Sequence, residues 1–261
     1  MVDLFEEIMK IKETGQRGAV ATVVGTQGST PREIGAKMLV REDGTIWGTI
    51  GGGVLEAQVC KEALKTIEEE KPRTIHFDFA GEETANIGMT CGGVMDIYVE
   101  PIIPIPKVFI FGGGHISLSV ARMSAMAGFR VAIIDDRPQF ANPERFPEAE
   151  EVICEGFASA LAKLRVHKSS YLVIVTRGHL ADQEVLEWAV NQQVRYIGMI
   201  GSHKKIQGVY RNLGEKGIPS AKLQQVHAPI GLNIGAVTPE EIAVSIVAEM
   251  IQVRREERGS A

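Results

Sequence analysis

Two glycine triplets, each set between an apolar run and a helical pattern, constrain the fold of this chain most strongly. Gly51–Gly53 follows residues 47–50, and Gly112–Gly114 follows Val108–Phe111. A strand, a glycine turn and a helix in succession bring bare backbone N–H groups and the positive end of a helix close together. Each triplet therefore predicts a turn that can hold an anion. Together they predict either one large anionic ligand or two separate ones.

The second half of the chain alternates short apolar runs with helical patterns. The runs are continuously apolar, which is typical of parallel strands covered on both faces. We therefore predict an α/β fold here, a Rossmann-like doubly wound parallel sheet. The predicted strands are 108–111, 130–135, 151–154, 171–176 and 195–200, and the predicted helices are 115–127, 157–165, 182–191 and 202–216. A final helix is expected from Pro239, because Thr238 can cap it and Glu241 completes a capping box.

The first half predicts a smaller α/β domain. Its expected elements are helix 3–14, strands 19–24, 37–41, 45–50, 73–79 and 94–99, and a helix from Val54 that ends before Pro72. Asp43-Gly44, between two of these strands, is a strong hairpin signal. Residues 101–106 contain three prolines, which exclude a helix and favour an extended spacer. We therefore predict an N-terminal domain at 1–100, a proline-rich linker at 101–106 and the Rossmann-like domain at 107–261.

Composition narrows the class of protein. The 261 residues carry a net charge of −5 without any basic stripe, which argues against nucleic acid as a partner. No apolar run approaches the roughly 18–20 residues of a membrane span, and the acidic, amphipathic start does not resemble a signal peptide. The three cysteines are odd in number and lack metal-ligand spacing, so a reducing cytoplasm is the expected location.

The turn at Gly112 and Gly114 fits the pattern G-x-G-x-x-S, with Ser117 in place of the third glycine of the dinucleotide fingerprint. Asp135 ends the next predicted strand, where an acidic residue can bind a ribose 2′-OH. This arrangement favours NAD, or another ribose-bearing ligand, over NADP. The alternative is a tight β–α turn that binds no ligand.

Four histidines follow the predicted strands of the second half, at or near the carboxyl edge of the sheet. They are His115, His179, His203 and His227. Ligands of open α/β sheets bind at this edge, near the point where the strand order reverses. If the order is 3-2-1-4-5, His115 and His179 face each other across that crevice. Asp182 is expected to be the N-cap of its helix or to lie one residue inside it.

Three kinds of site fit these histidines. They could be general acids and bases, or zinc ligands, although no two have helix-face spacing and no cysteine joins them. They could also donate hydrogen bonds to phosphate oxygens beside Arg177, Ser202, Lys204 and Lys205. We favour the phosphate site. The alternative is that each imidazole satisfies a loop carbonyl.

In the first half, Gly51, Gly52 and Gly53 offer amides at a helix start, and Glu56 lies in the first turn of that helix. A carboxylate can accept two parallel hydrogen bonds from an amino-pyrimidinone edge, as in guanine or a pterin. Glu56 could equally do no more than complement the helix dipole. The residues alone leave both alternatives open.

Two further segments of the first half are candidates for ligand binding. Ser29, Thr30 and Arg32 lie in a loop rich in hydroxyl and small residues, which can offer several donors to an anion or serve as an ordinary strand connection. Cys91 precedes Gly92-Gly93, a setting compatible with a reactive or metal-facing thiol and equally with a packing residue. We retain all four residues as candidates.

The ordered set of motifs resembles the xanthine dehydrogenase accessory proteins, the XdhC/CoxI family, over about residues 5 to 252. The combination of motifs is specific, whereas the Rossmann-like part alone would not be. The motifs are GSTPREIGAKM (28–38), GTIGGGVLEA (48–57), MTCGG (89–93), FGGGHIS (111–117), DDRPQFANPERFP (135–147), VTRGHLADQ (175–183), YIGMIGSHKK (196–205) and HAPIGLNIGAVTPEEIAVSIVAE (227–249).

The resemblance implies a maturation factor rather than a metabolic enzyme. Such proteins bind molybdenum cofactor (molybdopterin), support its sulfuration by a cysteine desulfurase, and deliver it to a xanthine dehydrogenase-type hydroxylase. The family has an N-terminal XdhC domain, a C-terminal Rossmann domain and dimeric members, so a homodimer is expected. On this basis the glycine turns suit phosphate, Glu56 suits the pterin edge, and Cys91 could face the metal or a persulfide. The alternative is an NAD-dependent oxidoreductase or an NAD-binding regulator.

Overall fold

The computed structural model of this chain describes residues 3–79 and 92–256. Its contacts divide the chain into two compact units, Met1–Pro104 and Ile105–Ala261. The α/β class expected for the chain is confirmed. Within the described ranges, no helix is both long enough and apolar enough to cross a membrane.

The first unit is built on an antiparallel sheet of five strands in the order β3-β2-β1-β5-β4. Strand β5 pairs with β1 as far as Ile102, so the first two residues of the predicted linker belong to this sheet. The described elements are α1 (Leu4–Thr14), β1 (Gly18–Gln27), β2 (Lys37–Arg41), β3 (Ile46–Gly48), α2 (Gly53–Glu69), β4 (Arg73–Asp78) and β5 (Val94–Ile102).

Side-chain alternation along the strands gives this sheet two buried faces. Ala19, Ala21 and Val23 of β1 belong to the cluster that packs against α2, whereas Val20 belongs to the cluster that packs against α1. Helix α2 contributes a stripe at intervals of four residues, Leu55, Val59, Ala63 and Ile67. The hairpin predicted at Asp43-Gly44 is confirmed, since β2 and β3 pair on either side of it.

The second unit contains a parallel sheet of five strands in the order β10-β9-β6-β7-β8. This is the order 3-2-1-4-5, considered above as a condition, seen from the other edge, and the predicted doubly wound parallel sheet is confirmed. The described elements are β6 (Lys107–Phe111), α3 (His115–Met126), β7 (Arg130–Asp135), β8 (Glu151–Cys154), α4 (Phe157–Lys163), β9 (Ser170–Ile174), α5 (His179–Ala189), β10 (Tyr196–Met199), α6 (His203–Glu215), α7 (Ser220–Leu223) and α8 (Pro239–Glu256).

Alternate residues of each central strand face opposite layers of helices. In β6, Phe109 and Phe111 pack towards α4 to α7, whereas Val108 and Ile110 pack towards α3 and α8. This two-sided burial explains why these strands are continuous apolar runs in the sequence. Helix α8 begins as predicted, because Thr238 Oγ1 accepts from the N–H of Glu241 at 3.2 Å and Glu241 Oε2 accepts from the N–H of Thr238 at 3.0 Å.

Candidate functional site

The glycine turn of the first unit is closed by a side chain of the chain itself. Gly51, Gly52 and Gly53 have φ values of 141°, 82° and 60°, a backbone that favours glycine. Glu56 Oε1 accepts from Thr49 Oγ1 at 2.5 Å and from the N–H groups of Ile50 at 3.1 Å and Gly52 at 3.0 Å. The second carboxylate oxygen, Oε2, takes part in none of these bonds.

This arrangement corrects the prediction that the turn offers its amides to an external anion. The amides of Ile50 and Gly52 already have an acceptor within the chain. Glu56 also does more than complement the helix dipole, because its carboxylate fixes the turn that precedes α2. Partial burial acts to raise the pKa of Glu56, but the hydrogen bonds from Thr49, Ile50, Gly52 and Gly51 hold it below its ordinary value of 4.5.

The lowered pKa gives a testable dependence of stability on pH. Glu56→Gln removes the charged acceptor and should lower the free energy of unfolding of the first unit at pH 7 by about 1–2 kcal/mol. Because the folded pKa is lowered, the carboxylate stabilises the fold above pH 4.5, and this contribution is lost as the pH falls through the lowered pKa. The difference between wild type and variant should therefore shrink at low pH.

Unfolding in urea at several pH values would measure this difference, with Trp47 fluorescence as the probe in a Trp188→Phe background. The chain has two tryptophans, and Trp47 is the one in the first unit. Glu68→Gln is the matched control, since Glu68 is an exposed residue of the same helix. A Glu56→Gln effect that does not change with pH would contradict this role of the carboxylate.

One other sequence motif of the first unit meets this turn, and a further motif meets that one. A Cβ built on Gly51 would lie 2.7 Å from Pro31 Cβ, and one built on Gly93 would lie 2.4 Å from the carbonyl oxygen of Ser29. Loop 28–35, the Gly51–Gly53 turn and Gly93 are therefore in contact, and we call them the first-unit cluster. The structure thus brings together segments that lie more than 60 positions apart in the sequence.

The polar candidates of the first-unit cluster differ in accessibility. Ser29 and Arg32 are exposed, and Thr30 Oγ1 donates to the carbonyl oxygen of Arg32 at 3.1 Å. Cys91, predicted as a cofactor-binding residue and metal ligand, lies outside the described residues. Among the residues that are described, no group of three or more His, Cys, Asp or Glu side chains is placed to hold a metal ion.

The glycine turn of the second unit is covered by its own chain. Gly112 has a φ of 107°, and a Cβ there would lie 2.5 Å from the carbonyl oxygen of Val175. A Cβ on Gly113 would lie 2.2 Å from the carbonyl oxygen of Phe140, so the connection from β7 to β8 rests on the turn. Only Gly114, of the three, would have no atom within 4 Å of an added Cβ.

Asp135 is engaged by the chain in the position where the sequence predicts a ribose contact. The carboxylate is 2% exposed and accepts from the N–H of Gly113 at 2.8 Å. It also accepts from Arg137 Nε and Nη2, both at 2.8 Å, and the Arg137 guanidinium lies 3.7 Å from the ring centroid of Phe140. Although burial acts to raise it, the pKa of Asp135 is lowered by these bonds. The Asp135 carboxylate is therefore already bound by Arg137 and by the Gly112–Gly114 turn.

The histidines that the sequence predicts as one group lie in different surroundings. His115 and His179 are exposed and begin α3 and α5, directly after the neighbouring strands β6 and β9. His227 is engaged elsewhere: its Nδ1 lies 3.2 Å from Glu249 Oε1 and its ring centroid 4.6 Å from that of Tyr196. The expectation that His227 joins a phosphate site was therefore wrong, because its imidazole joins the end of the sheet to α8.

A cavity of about 630 Å³ lies beside the N-termini of α5 and α6 in the second unit. Four residues of the predicted site line this cavity, namely Arg177, His179, Ser202 and Lys204. Gly112, Gly114 and His115 of the predicted site do not line it. We call it the basic cavity. Its lining residues are Arg177, Gly178, His179, Gln183, Ser202, Lys204, Lys205, Gly208, Val209 and Asn212.

Sequence reasoning missed the pair that supports this cavity. The sequence predicts Asp182 at the helix N-cap or one residue inside the helix, but α5 begins at His179 and Asp182 is the fourth residue of the helix, fully buried in its first turn. Its Oδ2 is ion-paired with Lys205 Nζ, and its Oδ1 lies 2.6 Å from Thr176 Oγ1. The signal was in the sequence, since Asp182 stands three and four positions before the apolar pair Val185-Leu186. That spacing puts the carboxylate on the buried stripe of the helix.

Comparison with known proteins finds similarity along both units. Residues 108–250 match the XdhC Rossmann domain, and residues 11–78 match the XdhC and CoxI family. The uncharacterized protein YqeB of Escherichia coli K12 is 36% identical over 259 residues, which cover 99% of this chain and 47% of YqeB. The chain therefore spans about half the length of that relative.

Two more distant relatives align over most of their own length. A Bacillus subtilis protein described as a probable xanthine dehydrogenase component is 24% identical, with 93% of this chain and 95% of that protein covered. The molybdenum cofactor insertion chaperone PaoD of Escherichia coli K12 is 21% identical, with 92% and 85% covered. A crystal structure described as a xanthine dehydrogenase from Bacillus halodurans aligns with a TM-score of 0.54 at 25% identity, covering 96% of this chain and 95% of that one.

Proposed function

Because this chain belongs to the XdhC and CoxI family, we propose that it is an accessory protein in the maturation of xanthine dehydrogenase-type hydroxylases. The observation that carries the proposal is that family similarity extends over both units, at 11–78 and 108–250. A relative described as a molybdenum cofactor insertion chaperone also aligns over 92% of the chain. A Rossmann-like unit alone would not support this function.

In this proposal the ligand is molybdenum cofactor, which the protein carries as cargo. Its phosphate is an anion, and the basic cavity presents Arg177, His179 and Lys204 to an anion. Its pterin has an amino-pyrimidinone edge, but Glu56, the predicted contact to that edge, has only one carboxylate oxygen outside the bonds that close the Gly51–Gly53 turn, so it cannot accept two parallel hydrogen bonds while the turn stays closed. Cys91 is the proposed contact to the metal or to a persulfide. The chemistry of Arg177, His179 and Lys204 thus fits the phosphate of the cargo.

The partners follow from the same proposal. A cysteine desulfurase would supply sulfur while this protein holds the cofactor, and a molybdenum hydroxylase would receive it. We propose that the protein acts as a homodimer and contributes no catalytic residue of its own; Ser29, Thr30 and Arg32 would bind the cofactor. The NAD hypothesis is not retained as a second candidate, because Asp135 accepts four hydrogen bonds from Gly113 and Arg137.

Copurification tests the proposal directly. Protein purified from a host that makes molybdopterin should yield a fluorescent pterin after acid oxidation, in amounts comparable with the protein. Protein from a host unable to make molybdopterin is the control and should yield none. Absence of pterin in the first preparation, together with no binding of added cofactor to the control protein, would rule out the proposed function.

A further inference from the structure

The basic cavity carries positive charge that the chain does not neutralise. None of its described lining residues is acidic. Lys205 is paired with Asp182, and Arg177 Nη2 lies 3.5 Å from Asp136 Oδ2. Lys204 has no ion-pair partner among the described residues, and its side chain is exposed. A concave surface with uncompensated cations concentrates anions from solution.

A buried ion pair ties together the two loops that carry these cations. Asp182 is 0% exposed and accepts from the N–H of Thr176 at 3.2 Å, while its other oxygen binds Lys205. Lys205 Nζ also lies 3.4 Å from the carbonyl oxygen of Ile200. The loops after β9 and β10 are therefore tied together beneath the cavity. Asp182 acts here as a positioning residue, and the cavity needs little reorganisation when a ligand enters.

The other end of the cavity offers neutral hydrogen-bonding groups. Asn212 Nδ2 donates to Gln183 Oε1 at 2.9 Å, and both residues line the cavity. This bond leaves the Gln183 amide N–H groups as donors and Asn212 Oδ1 as an acceptor. A donor beside an acceptor complements the edge of a nitrogen heterocycle. The volume of about 630 Å³ lies within the usual range of small-molecule sites.

We propose that the basic cavity binds the phosphomonoester of a nitrogen heterocycle, with the phosphate at Arg177 and Lys204 and the heterocycle at Gln183 and Asn212. The phosphate site then lies between β9 and β10 on the α5–α6 side, one strand away from the covered turn at Gly112. This inference rests on the proposed function, because it assigns the cavity to the phosphate of the cofactor. The same chemistry would serve a purine nucleoside monophosphate, so the two sources are separated by experiment.

Calorimetry with the whole 261-residue chain tests the site. GMP should bind, whereas guanosine, which lacks the phosphate, should bind at least about tenfold more weakly, because it cannot make the charge-assisted hydrogen bonds to Arg177 and Lys204. Arg177→Ala combined with Lys204→Ala should lower the affinity for GMP by a similar factor without loss of structure, since both side chains are exposed. Lys163→Ala, at an exposed lysine outside the cavity, is the matched control.

A second variant tests the heterocycle end. Gln183→Ala should remove most of the preference for GMP over ribose 5-phosphate while leaving ribose 5-phosphate affinity unchanged. Titration of molybdopterin into the same proteins shows whether the cavity binds GMP or molybdopterin more tightly. The ligand that binds more tightly identifies the source of the phosphomonoester. Equal affinity of wild type and the Arg177/Lys204 variant for both GMP and molybdopterin would overturn the inference.

The outcomes separate this inference from the proposed function. If no pterin copurifies, yet GMP binds and is lost in the Arg177/Lys204 variant, the cavity is a nucleotide site and the proposed function fails. If pterin copurifies with the variant as with wild type, the proposed function stands and the cavity is not its phosphate site.

Discussion

Asp182→Ala should lower the free energy of unfolding of the second unit by about 3–5 kcal/mol. The carboxylate is fully buried, pairs with Lys205 and accepts from the N–H of Thr176 at 3.2 Å. Its removal leaves a partly buried ammonium without its counter-charge and a buried amide without its acceptor. Urea unfolding followed by Trp188 fluorescence in a Trp47→Phe background would measure the loss, because Trp188 packs on Phe111 in the second unit.

The controls for this prediction compare the buried Asp182–Lys205 pair with an ion pair that is more exposed. Glu187→Ala breaks the ion pair with Lys216, whose two side chains are 36% and 52% exposed, and should cost no more than about 1 kcal/mol. Asp182→Ala combined with Lys205→Met removes both charges and should recover part of the loss. If Asp182→Ala and Glu187→Ala have equal effects, the buried pair does not stabilise the fold as we infer.

Gly112→Ala should destabilise the second unit by about 3 kcal/mol or more. The φ of 107° is unfavourable for any residue with a Cβ, and the added Cβ would lie 2.5 Å from the carbonyl oxygen of Val175. The strain and the contact both involve backbone, so no side-chain rotation can relieve them. The same fluorescence-detected unfolding measures the change.

Gly114→Ala is the matched control, two positions further along the turn. Its φ is −70° and an added Cβ would meet nothing within 4 Å, so the expected loss is below about 1 kcal/mol, typical of alanine at an N-cap. A Gly112→Ala variant as stable as Gly114→Ala would mean that the turn relaxes freely, contrary to its packing against Val175 and Phe140.

Local patterns in the sequence predicted most of the fold. Apolar runs at Val108–Phe111 and 130–135 are strands, because two-sided burial demands such runs whatever packs on them. Thr238 and Glu241 form the expected capping box, because all its atoms lie within four residues. The hairpin at Asp43-Gly44 is local for the same reason.

The candidate site was predicted less completely, because charged side chains pair with residues that are distant in sequence. Asp182 binds Lys205, 23 positions away, and His227 lies beside Glu249 of α8, 22 positions away. Arg177, Ser202 and Lys204 were selected from the sequence as phosphate donors, and the basic cavity brings them together. Their role in binding stays a prediction. Cys91 lies outside the described residues and stays a prediction too.

The sequence by itself determined the two glycine turns, the strands and helices around them, and the parallel class of the second sheet. These depend on backbone sterics and on hydrophobic periodicity, which act over a few residues. Only the tertiary structure decided what occupies each turn: Glu56 at Gly51–Gly53, and Asp135 with Phe140 at Gly112–Gly114. A buried N–H must find an acceptor, and in each turn the folded chain supplies one from a side chain that lies close in space.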